Sequence, residues 1–559
     1  MSQGQMKQLG RGWMLPFLTS KQVFSFLLIA TGLTFFRAFT AQYVTWDDPV
    51  LVLDNTLLKL PFLEAVPIFF TSFYHGDYMP LTLISYWVEV ALFGYNPLPS
   101  HLFNLALHLG CGIALFEFLR STRMKVQLKD GAILFICAIF LLHPFQVEPV
   151  MWISERKGLL SSFLLLLAMT ASQKKAQGNS AKINSLYLLA YYFLFLGSLL
   201  TKATGVFIPL FLMWVDIRYR TDANALLFWK ALRKHAIPGL LAALIITVRV
   251  SAYGGDVSNL SSFFFEPQRL LQLPLIITSI LGFYLSAFFI PFSQSIIYPE
   301  FQIDSSLLIR VLTAIVFVIA IVSLWRKTRN TQIGFFALFS FVLLLPVLQI
   351  VPRLNFVSDR YMYLPSIGLA GLVSIALEQA SGRTVKRVLF PIILILASIS
   401  CFRSGVWEDD FHLWSNAVET APWSGLARNN YAMVLEKQGD VQSAVTEFEK
   451  ALTLGKRDGA DNLAYNNLGV LYSRYSQILD HRRAIYYFEK GIAEVQRPEE
   501  SYTLRLNLAG SYATIGQPLK AREILVELEK DLIKASRDKK YLELLSVTHG
   551  AIEGLTKSF

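Results

Sequence analysis

The sequence predicts an all-α protein in two parts. A polytopic helical membrane domain of about eleven to thirteen spans occupies residues 1–405, and a solenoid of about three paired-helix repeats occupies residues 406–559. Three observations carry this reading. Hydrophobic residues make up 54% of the 559 and charged residues only 16%, against roughly 25% charge in a soluble domain. Apolar runs approaching the about 20 residues that a span needs recur as far as Arg403. Beyond Arg403 the chain turns charged, and one pattern of small and apolar residues returns at intervals.

The membrane part comes first. Apolar runs lie near 22–40, 101–119, 130–142, 158–172, 184–200, 204–217, 236–250, 270–290, 305–325, 332–350, 363–379 and 386–402. Basic residues precede the first run and no clean small-residue cleavage site follows it, so it reads as an uncleaved first span. The net charge of +11 sits in short loops between apolar runs, where it anchors cytoplasmic loops and excludes nucleic acid as a partner. Cys111, Cys137 and Cys401 each lie in or at the edge of an apolar run, which fits neither a disulfide framework nor a zinc site.

Five basic loops set the orientation: Arg120–Lys129, Lys174–Lys182, Arg218–Lys234, Arg326–Arg329 and Arg383–Arg387. The first three alternate correctly with a cytoplasmic N-terminus, which turns the loops at 41–100, 143–157 and 251–268 outward. Twelve simple crossings would put the last two basic loops outside. An incomplete crossing at Pro274–Pro291, or one more crossing hidden in 251–300, restores the charge rule and places both 351–361 and the C-terminal domain outside.

The tail from Trp407 to Phe559 repeats itself. Asn429-Asn430-Tyr431-Ala432, Asn466-Asn467-Leu468-Gly469 and Leu506-Asn507-Leu508-Ala509 are each followed by an alanine with an apolar residue four positions on: Ala444/Phe448, Ala484/Phe488 and Ala521/Leu525. Gly439 and Gly516 fall where paired helices would turn, and Arg474–Arg482 carries an insertion in the middle repeat. The pattern resembles the tetratricopeptide repeat, whose small residues allow close helix packing and whose stacked units offer an extended surface for peptide or protein.

Candidate chemistry gathers in the outward segments. Asp47 and Asp48 follow the first span directly, and mutual repulsion between adjacent carboxylates raises one pKa toward the range of a general base. Further along the same loop, His75 and Asp77 stand among aromatics suited to helices lying at the membrane interface. The segment from His143 to Lys157 packs His143, Glu148, Glu155, Arg156 and Lys157 together. Ionisable groups at membrane depth are functional candidates, although Glu155–Lys157 or Glu148–Arg156 pairing within the loop would account for them by neutralisation alone. His143 and Glu148 are metal-ligand types without the further ligands a site requires. Lys202, and Arg360 with its neighbours Asp359 and Tyr361, are further ionisable residues on the same outer face; these cations run against the positive-inside trend and suit a phosphate clamp.

Taken in order, Trp46-Asp47-Asp48-Pro49, His75 to Thr82, Asn96 to His108, His143 to Lys157, Ser358 to Pro365 and the repeat tail resemble the GT-C membrane glycosyltransferases, in particular the transmembrane and tetratricopeptide-repeat-containing O-mannosyltransferases and their bacterial relatives. The resemblance implies inverting transfer of a sugar from a polyprenyl-phosphate donor to a protein hydroxyl on the outer face. It implies Asp47 as base with Asp48 assisting, and Arg360, Arg156, Lys157 and Lys202 stabilising the donor phosphate. His75, Asp77, His143, Glu148, Glu155 and Tyr361 would hold donor or acceptor, and the repeat tail would dock an acceptor protein. Metal dependence stays open, since some members of the superfamily use a divalent cation. A bacterial inner membrane fits the compact tail. Three other classes compete, of which a non-catalytic scaffold displaying the repeats has no use for the outward cations. A polysaccharide ligase or polymerase would carry a large late outer loop rich in Arg and His. A transporter would place charges or breaks at span centres and show an internal duplication.

Overall fold

The computed structural model describes residues 19–74, 76–122, 128–175, 180–218, 225–252, 267–292, 294–299, 332–350, 355–379, 383–455, 461–495, 498–535 and 542–557, and single residues between 312 and 326. His75, the loop 253–266 and nearly all of the predicted run 305–325 lie outside the described residues. Among the described residues the secondary structure is helical, apart from one isolated bridge between Tyr74 and Asp77. The chain divides into two compact units, Met1–Asp410 and Phe411–Phe559.

The first unit is a multi-pass membrane unit. Its helices are α1 (Ser20–Thr34), α2 (Phe62–Thr71), α3 (Pro80–Phe93), α4 (Pro97–Ser121), α5 (Asp130–Leu142), α6 (Val147–Met151), α7 (Arg156–Lys175), α8 (Ala181–Leu199), α9 (Ile208–Arg218), α10 (Ala225–Ala252), α11 (Pro267–Phe289), α12 (Gln332–Leu344), α13 (Pro365–Gln379) and α14 (Arg383–Ser404). Among the described residues, four helical stretches are long and apolar enough to cross a membrane: Pro97–Ser121, Leu227–Arg249, Leu271–Phe289 and Leu389–Trp407. Two more apolar stretches are broken by sharp bends. The Asp130–Leu142 helix meets Pro144–Met151 at 52°, and Ala181–Leu199 meets Ala203–Arg218 at 117°.

The breaks follow from sequence. Pro144 removes a backbone donor just past α5, and His143 takes over the capping by accepting from the Phe145 N–H at 3.1 Å. α7 packs on α4 and α8, while α13 packs on α5 and α12. The last contact depends on small residues. A Cβ at Gly371 would stand 2.1 Å from the Phe336 ring, and one at Gly368 would stand 2.4 Å from the Phe336 carbonyl. On a different group of helices, Tyr191, Asp216, Lys234 and His235 form a buried polar knot: Lys234 Nζ donates to Asp216 at 2.8 Å, and His235 lies between Asp216 at 3.1 Å and Tyr191 at 3.0 Å. This knot ties α8, α9 and α10 together.

The second unit is built from helical hairpins. α15 (Asp410–Thr420) leads into the pairs α16 (Gly425–Lys437)/α17 (Val441–Leu454), α18 (Asp461–Arg474)/α19 (His481–Glu494) and α20 (Tyr502–Thr514)/α21 (Pro518–Ala535), followed by α22 (Leu542–Lys557). Gly439 and Gly516 turn the first and third pairs at φ +86° and +76°, a left-handed conformation that glycine adopts without a steric penalty. The middle turn has no such glycine. Asp480 caps α19 there by accepting from the N–H groups of Arg482 and Arg483 at 3.0 and 3.1 Å. The recurring Ala444/Phe448, Ala484/Phe488 and Ala521/Leu525 all lie in one continuous buried core with Ala432, Leu468 and Ala509.

Candidate active site

The site is built on the loop that follows α1. Its entry is fastened to the end of α14 and the residues after it. Arg37 donates to the Cys401 carbonyl at 2.6 Å and pairs with Glu408 at 3.4 Å; Thr40 donates to Glu408 at 2.9 Å. Thr45 is gripped through both its N–H and its hydroxyl by Asp410, at 2.5 and 2.8 Å. Within the loop, Asp48 is buried. One carboxylate oxygen accepts from the Val44 N–H at 3.0 Å; the other accepts from the Ser154 N–H at 3.0 Å and from the Ser154 hydroxyl. Burial pushes Asp48 up to about 6, the Ser154 and Val44 hydrogen bonds pull against that rise, and the charge of Asp47 adds to it. The expected repulsion within the pair is therefore present but secondary to desolvation. Asp47 itself is partly exposed, and its carboxylate has no hydrogen-bond partner among the described residues.

The segment after α5 supplies the opposite wall. The sequence admits ion pairs within 143–157, but each charged side chain finds a distant partner instead. Glu148 accepts from the Arg360 backbone N–H at 2.9 Å, from the Arg360 guanidinium, and from the Ser358 hydroxyl at 3.2 Å. The Arg360 guanidinium also stands 5.3 Å from the Trp152 ring and 5.2 Å from that of Tyr361. Trp152 in turn meets Trp46 edge-on at 6.4 Å, next to Asp47. Glu155 pairs with Lys202, and its second carboxylate oxygen is buried with no partner among the described residues. A Cβ at Gly158 would lie 2.2 Å from Glu155 Oε1 and 3.4 Å from Lys202 Nζ, so this glycine makes the space that the pair occupies. Asp77 is shared between Arg249 and Lys157, the latter at 3.7 Å. Burial alone would raise Asp77, but Arg249, Lys157 and Lys202 outweigh it and hold the carboxyl below the usual range.

Two expected site residues, Arg156 and His143, are enclosed by protein. Arg156 is wholly buried, paired with Glu89 at 2.8 Å, bonded to the Asn104 side chain at 3.2 Å and walled by the rings of Tyr86 and Phe103. The guanidinium joins α3, α4 and α7, and its Nη1 is buried with no hydrogen-bond partner among the described residues. His143 is also wholly buried. Its Nδ1 accepts from the Phe145 N–H and its Nε2 donates to the Phe288 carbonyl at 3.0 Å, so neither nitrogen is left for a metal or substrate. Asp359, next to Arg360 in sequence, turns away from it toward Tyr298 at 2.7 Å and Arg403 at 3.8 Å; burial pushes it up to about 7, against the pull of Arg403. Glu148 is what orients Arg360.

The structure therefore gathers Asp47, Asp48, Glu148, Glu155, Lys202 and Arg360 on adjoining segments, with Lys157 and Asp77 beside them. Tyr361 is partly exposed at the edge of Arg360. Sequence reasoning missed Arg249, whose Nε is buried without a partner among the described residues, and the positioning residues Glu89, Ser154 and Ser358. Arg249 had a signal of its own, as a lone cation within a run otherwise apolar from 236 to 250. Among the described residues, no three His, Cys, Asp or Glu side chains are grouped as a metal site would require.

Apolar helices enclosing a set of buried ion pairs, followed by a unit of stacked helical hairpins, define a multi-pass membrane protein of the transmembrane-and-repeat class. Among curated proteins, the chain is similar over most of its length to the TMTC protein O-mannosyl-transferases. It is 24% identical to the human protein O-mannosyl-transferase TMTC1, over 71% of this chain and 50% of that protein. To mouse protein O-mannosyl-transferase TMTC3 it is 22% identical, over 86% of this chain and 56% of that protein. To the Drosophila melanogaster protein O-mannosyl-transferase Tmtc3 it is again 22% identical, over 83% and 58%. The chain thus spans about half the length of the curated relatives it matches. No family model matches it, and no solved structure does.

Proposed function

We propose that this protein is an inverting glycosyltransferase that moves a sugar from a polyprenyl-phosphate donor to a protein hydroxyl at the outer membrane face. The observation that carries this reading is the pairing of a partly exposed, unengaged Asp47 with a set of cations on the neighbouring segments. The names of the relatives support the sugar-transfer class and a protein acceptor.

In this reading the acceptor oxygen attacks the anomeric carbon from the side opposite the phosphate. Its proton passes to the Asp47 carboxylate. The bond from the anomeric carbon to the phosphate oxygen breaks, and its electron pair leaves with the phosphate. That leaving group needs no proton but needs positive charge close by as the bond lengthens. Arg360, Lys202 and Lys157 are the proposed donors, joined by Arg249. Lys157, Lys202, Arg249 and Arg360 stand against Asp77, Glu148 and Glu155. The unengaged oxygen of Glu155 suits a hydroxyl of the donor sugar. Asp48 holds the loop on Ser154 and so keeps Asp47 in place.

The test is sugar transfer by the reconstituted full-length protein with a panel of polyprenyl-phosphate sugars and a membrane-protein extract as acceptor. Asp47→Asn is expected to lower the rate about 10²- to 10⁴-fold, as loss of a general base does, with unchanged melting. Transfer at the wild-type rate in Asp47→Asn rules out this assignment of the base.

A further inference from the structure

Buried polar atoms without partners collect at one place in the membrane unit. Gln294, Trp152 and Trp407 are each 2% exposed. Both ends of the Gln294 amide, the Nε1 atoms of Trp152 and Trp407, and Arg403 Nε are buried with no hydrogen-bond partner among the described residues. The residues that carry them belong to one closed ring of contacts. Arg403 Nη1 donates to the Gln294 carbonyl at 2.8 Å, and Arg403 Nη2 lies 3.8 Å from Asp359 Oδ2. Trp407 ends the short turn after α14, four residues beyond Arg403, and its ring stacks on that of Trp152 at 5.7 Å. Trp152 stands 5.3 Å from the Arg360 guanidinium, and Arg360 adjoins Asp359 in sequence, which closes the ring. Leaving a buried polar group unpaired costs free energy, and native structures pair nearly all of them. Several such atoms on one ring call for a partner from outside the chain.

The chemistry of the set selects that partner. The ring offers unpaired N–H donors and, in Gln294 Oε1, an unpaired acceptor. Asp359, which already accepts from the Tyr298 hydroxyl at 2.7 Å, adds a carboxylate beside them. A phosphate only accepts, so Gln294 Oε1 and Asp359 disfavour it here. A hydroxyl both donates and accepts, and a sugar ring holds several hydroxyls at fixed spacing. The place agrees with the chemistry, because the ring of contacts begins at Arg360 and the donor sugar is bonded to the phosphate proposed for Arg360. We infer that Gln294, with Arg403 and the two indole N–H groups, binds the hydroxyls of the donor sugar and sets which sugar is accepted. This rests on the reading of Arg360 as the phosphate partner. The segment 294–299 lies outside any helix. Its own turn is held by the Ser295 N–H donating to the Tyr298 hydroxyl at 3.0 Å and the Ile297 N–H donating to Ser295 Oγ at 3.2 Å. It can therefore shift to admit a sugar without unwinding α11 or α14. The Arg360 side chain, 12% exposed, marks the open side.

The experiment measures equilibrium binding to the full-length protein in lipid nanodiscs by isothermal titration, with no acceptor present. The probes are farnesyl phosphodiesters of mannose, glucose, galactose and N-acetylglucosamine, and farnesyl methyl phosphate, which keeps the lipid and the charge but has no sugar. Wild type is expected to bind at least one sugar probe about tenfold more tightly than the methyl diester, the worth of a single good hydrogen bond. Gln294→Leu is expected to erase that preference, to leave the affinity for the methyl diester unchanged, and to melt no lower than wild type, since it removes an amide with neither end paired. Trp407→Phe keeps the aromatic stack and removes only the N–H; it is expected to weaken the preference, and it carries the test if Gln294→Leu does not fold. A preference retained in both variants overturns the proposal and makes the partner an ordered water only. Equal loss of affinity for every probe assigns Gln294 a structural role and overturns it as well. If wild type binds all probes equally, this inference fails while the lipid-phosphate reading stands; if wild type binds none, the lipid-phosphate reading fails and this inference with it.

Discussion

Glu89→Gln distinguishes a bracing role for Arg156 from a role in donor binding. The Arg156 side chain has no solvent exposure and that of Glu89 only 8%. Gln is close to Glu in volume and still accepts from the Ser100 hydroxyl, which Glu89 now engages. What it removes is the charge opposite a buried guanidinium. Breaking a buried pair on one side costs about 3–5 kcal/mol, and a neutral hydrogen bond from Arg156 to the new amide returns about 1. The expected loss is about 2–4 kcal/mol. It is read as a lowered melting temperature of the detergent-solubilised full chain, with transfer per folded molecule close to wild type. Glu89→Leu/Arg156→Met, which replaces the pair by apolar side chains, is expected to recover most of the stability. Unchanged melting of Glu89→Gln, together with lost transfer, would falsify the bracing role and return Arg156 to the donor phosphate.

Gly158→Ala drives a Cβ into Glu155 Oε1 and displaces it from Lys202; it is expected to cost about 1–3 kcal/mol of stability and to reduce transfer, and a variant with wild-type transfer would remove the Glu155–Lys202 pair from the site. Arg249→Met takes away the strongest cation acting on Asp77; it is expected to raise the Asp77 pKa and to raise the donor KM about tenfold, about 1.4 kcal/mol, with kcat less affected, whereas an unchanged KM would count against a phosphate role. Asp48 has a signed pH dependence. Because its folded pKa is raised from 3.8 to about 6, the folded protein holds this proton more tightly than the unfolded chain, and stability falls as pH rises between those values, by about 3 kcal/mol in all. The stability of wild type relative to Asp48→Asn should therefore decline from pH 4 to pH 6 in thermal melts; a flat or rising difference contradicts the buried-carboxyl assignment.

Much of the helical layout was legible because an apolar run is a local property. The run predicted at 130–142 is the helix α5, Asp130–Leu142, and those predicted at 101–119 and 158–172 lie inside α4 and α7. The alanine and aromatic periodicity of the tail likewise marked side chains that prove to be buried, because small residues spaced along a helix face fix where a neighbouring helix can approach. The candidate site was legible as a set of residue types and not as a set of partners. Lys157 and Glu155 look like neighbours in sequence, yet Glu155 finds its ion-pair partner 47 residues away, Glu148 212 residues away and Asp77 172 residues away. No pattern in a window of the chain carries those separations.

The same division explains Arg156 and His143. Residue type and position mark both as ionisable groups at the ends of apolar runs, and that is all the sequence contains. Whether such a group meets substrate or core depends on which helices close over it. Here α3 and α4 bring Glu89, Asn104, Tyr86 and Phe103 around Arg156, and the carbonyl of Phe288 on α11 takes the second nitrogen of His143. By itself, then, the sequence determined the apolar helices, the repeats and the identity of the acidic pair, since each follows from composition and periodicity over a few turns. Only the tertiary structure decided which carboxylate is buried and which is partly exposed, which cations keep some exposure, and that the repeat asparagines join into one ladder. Those outcomes depend on desolvation and on contacts between segments far apart in the chain, and burial is a property of the packed assembly of helices rather than of any one of them.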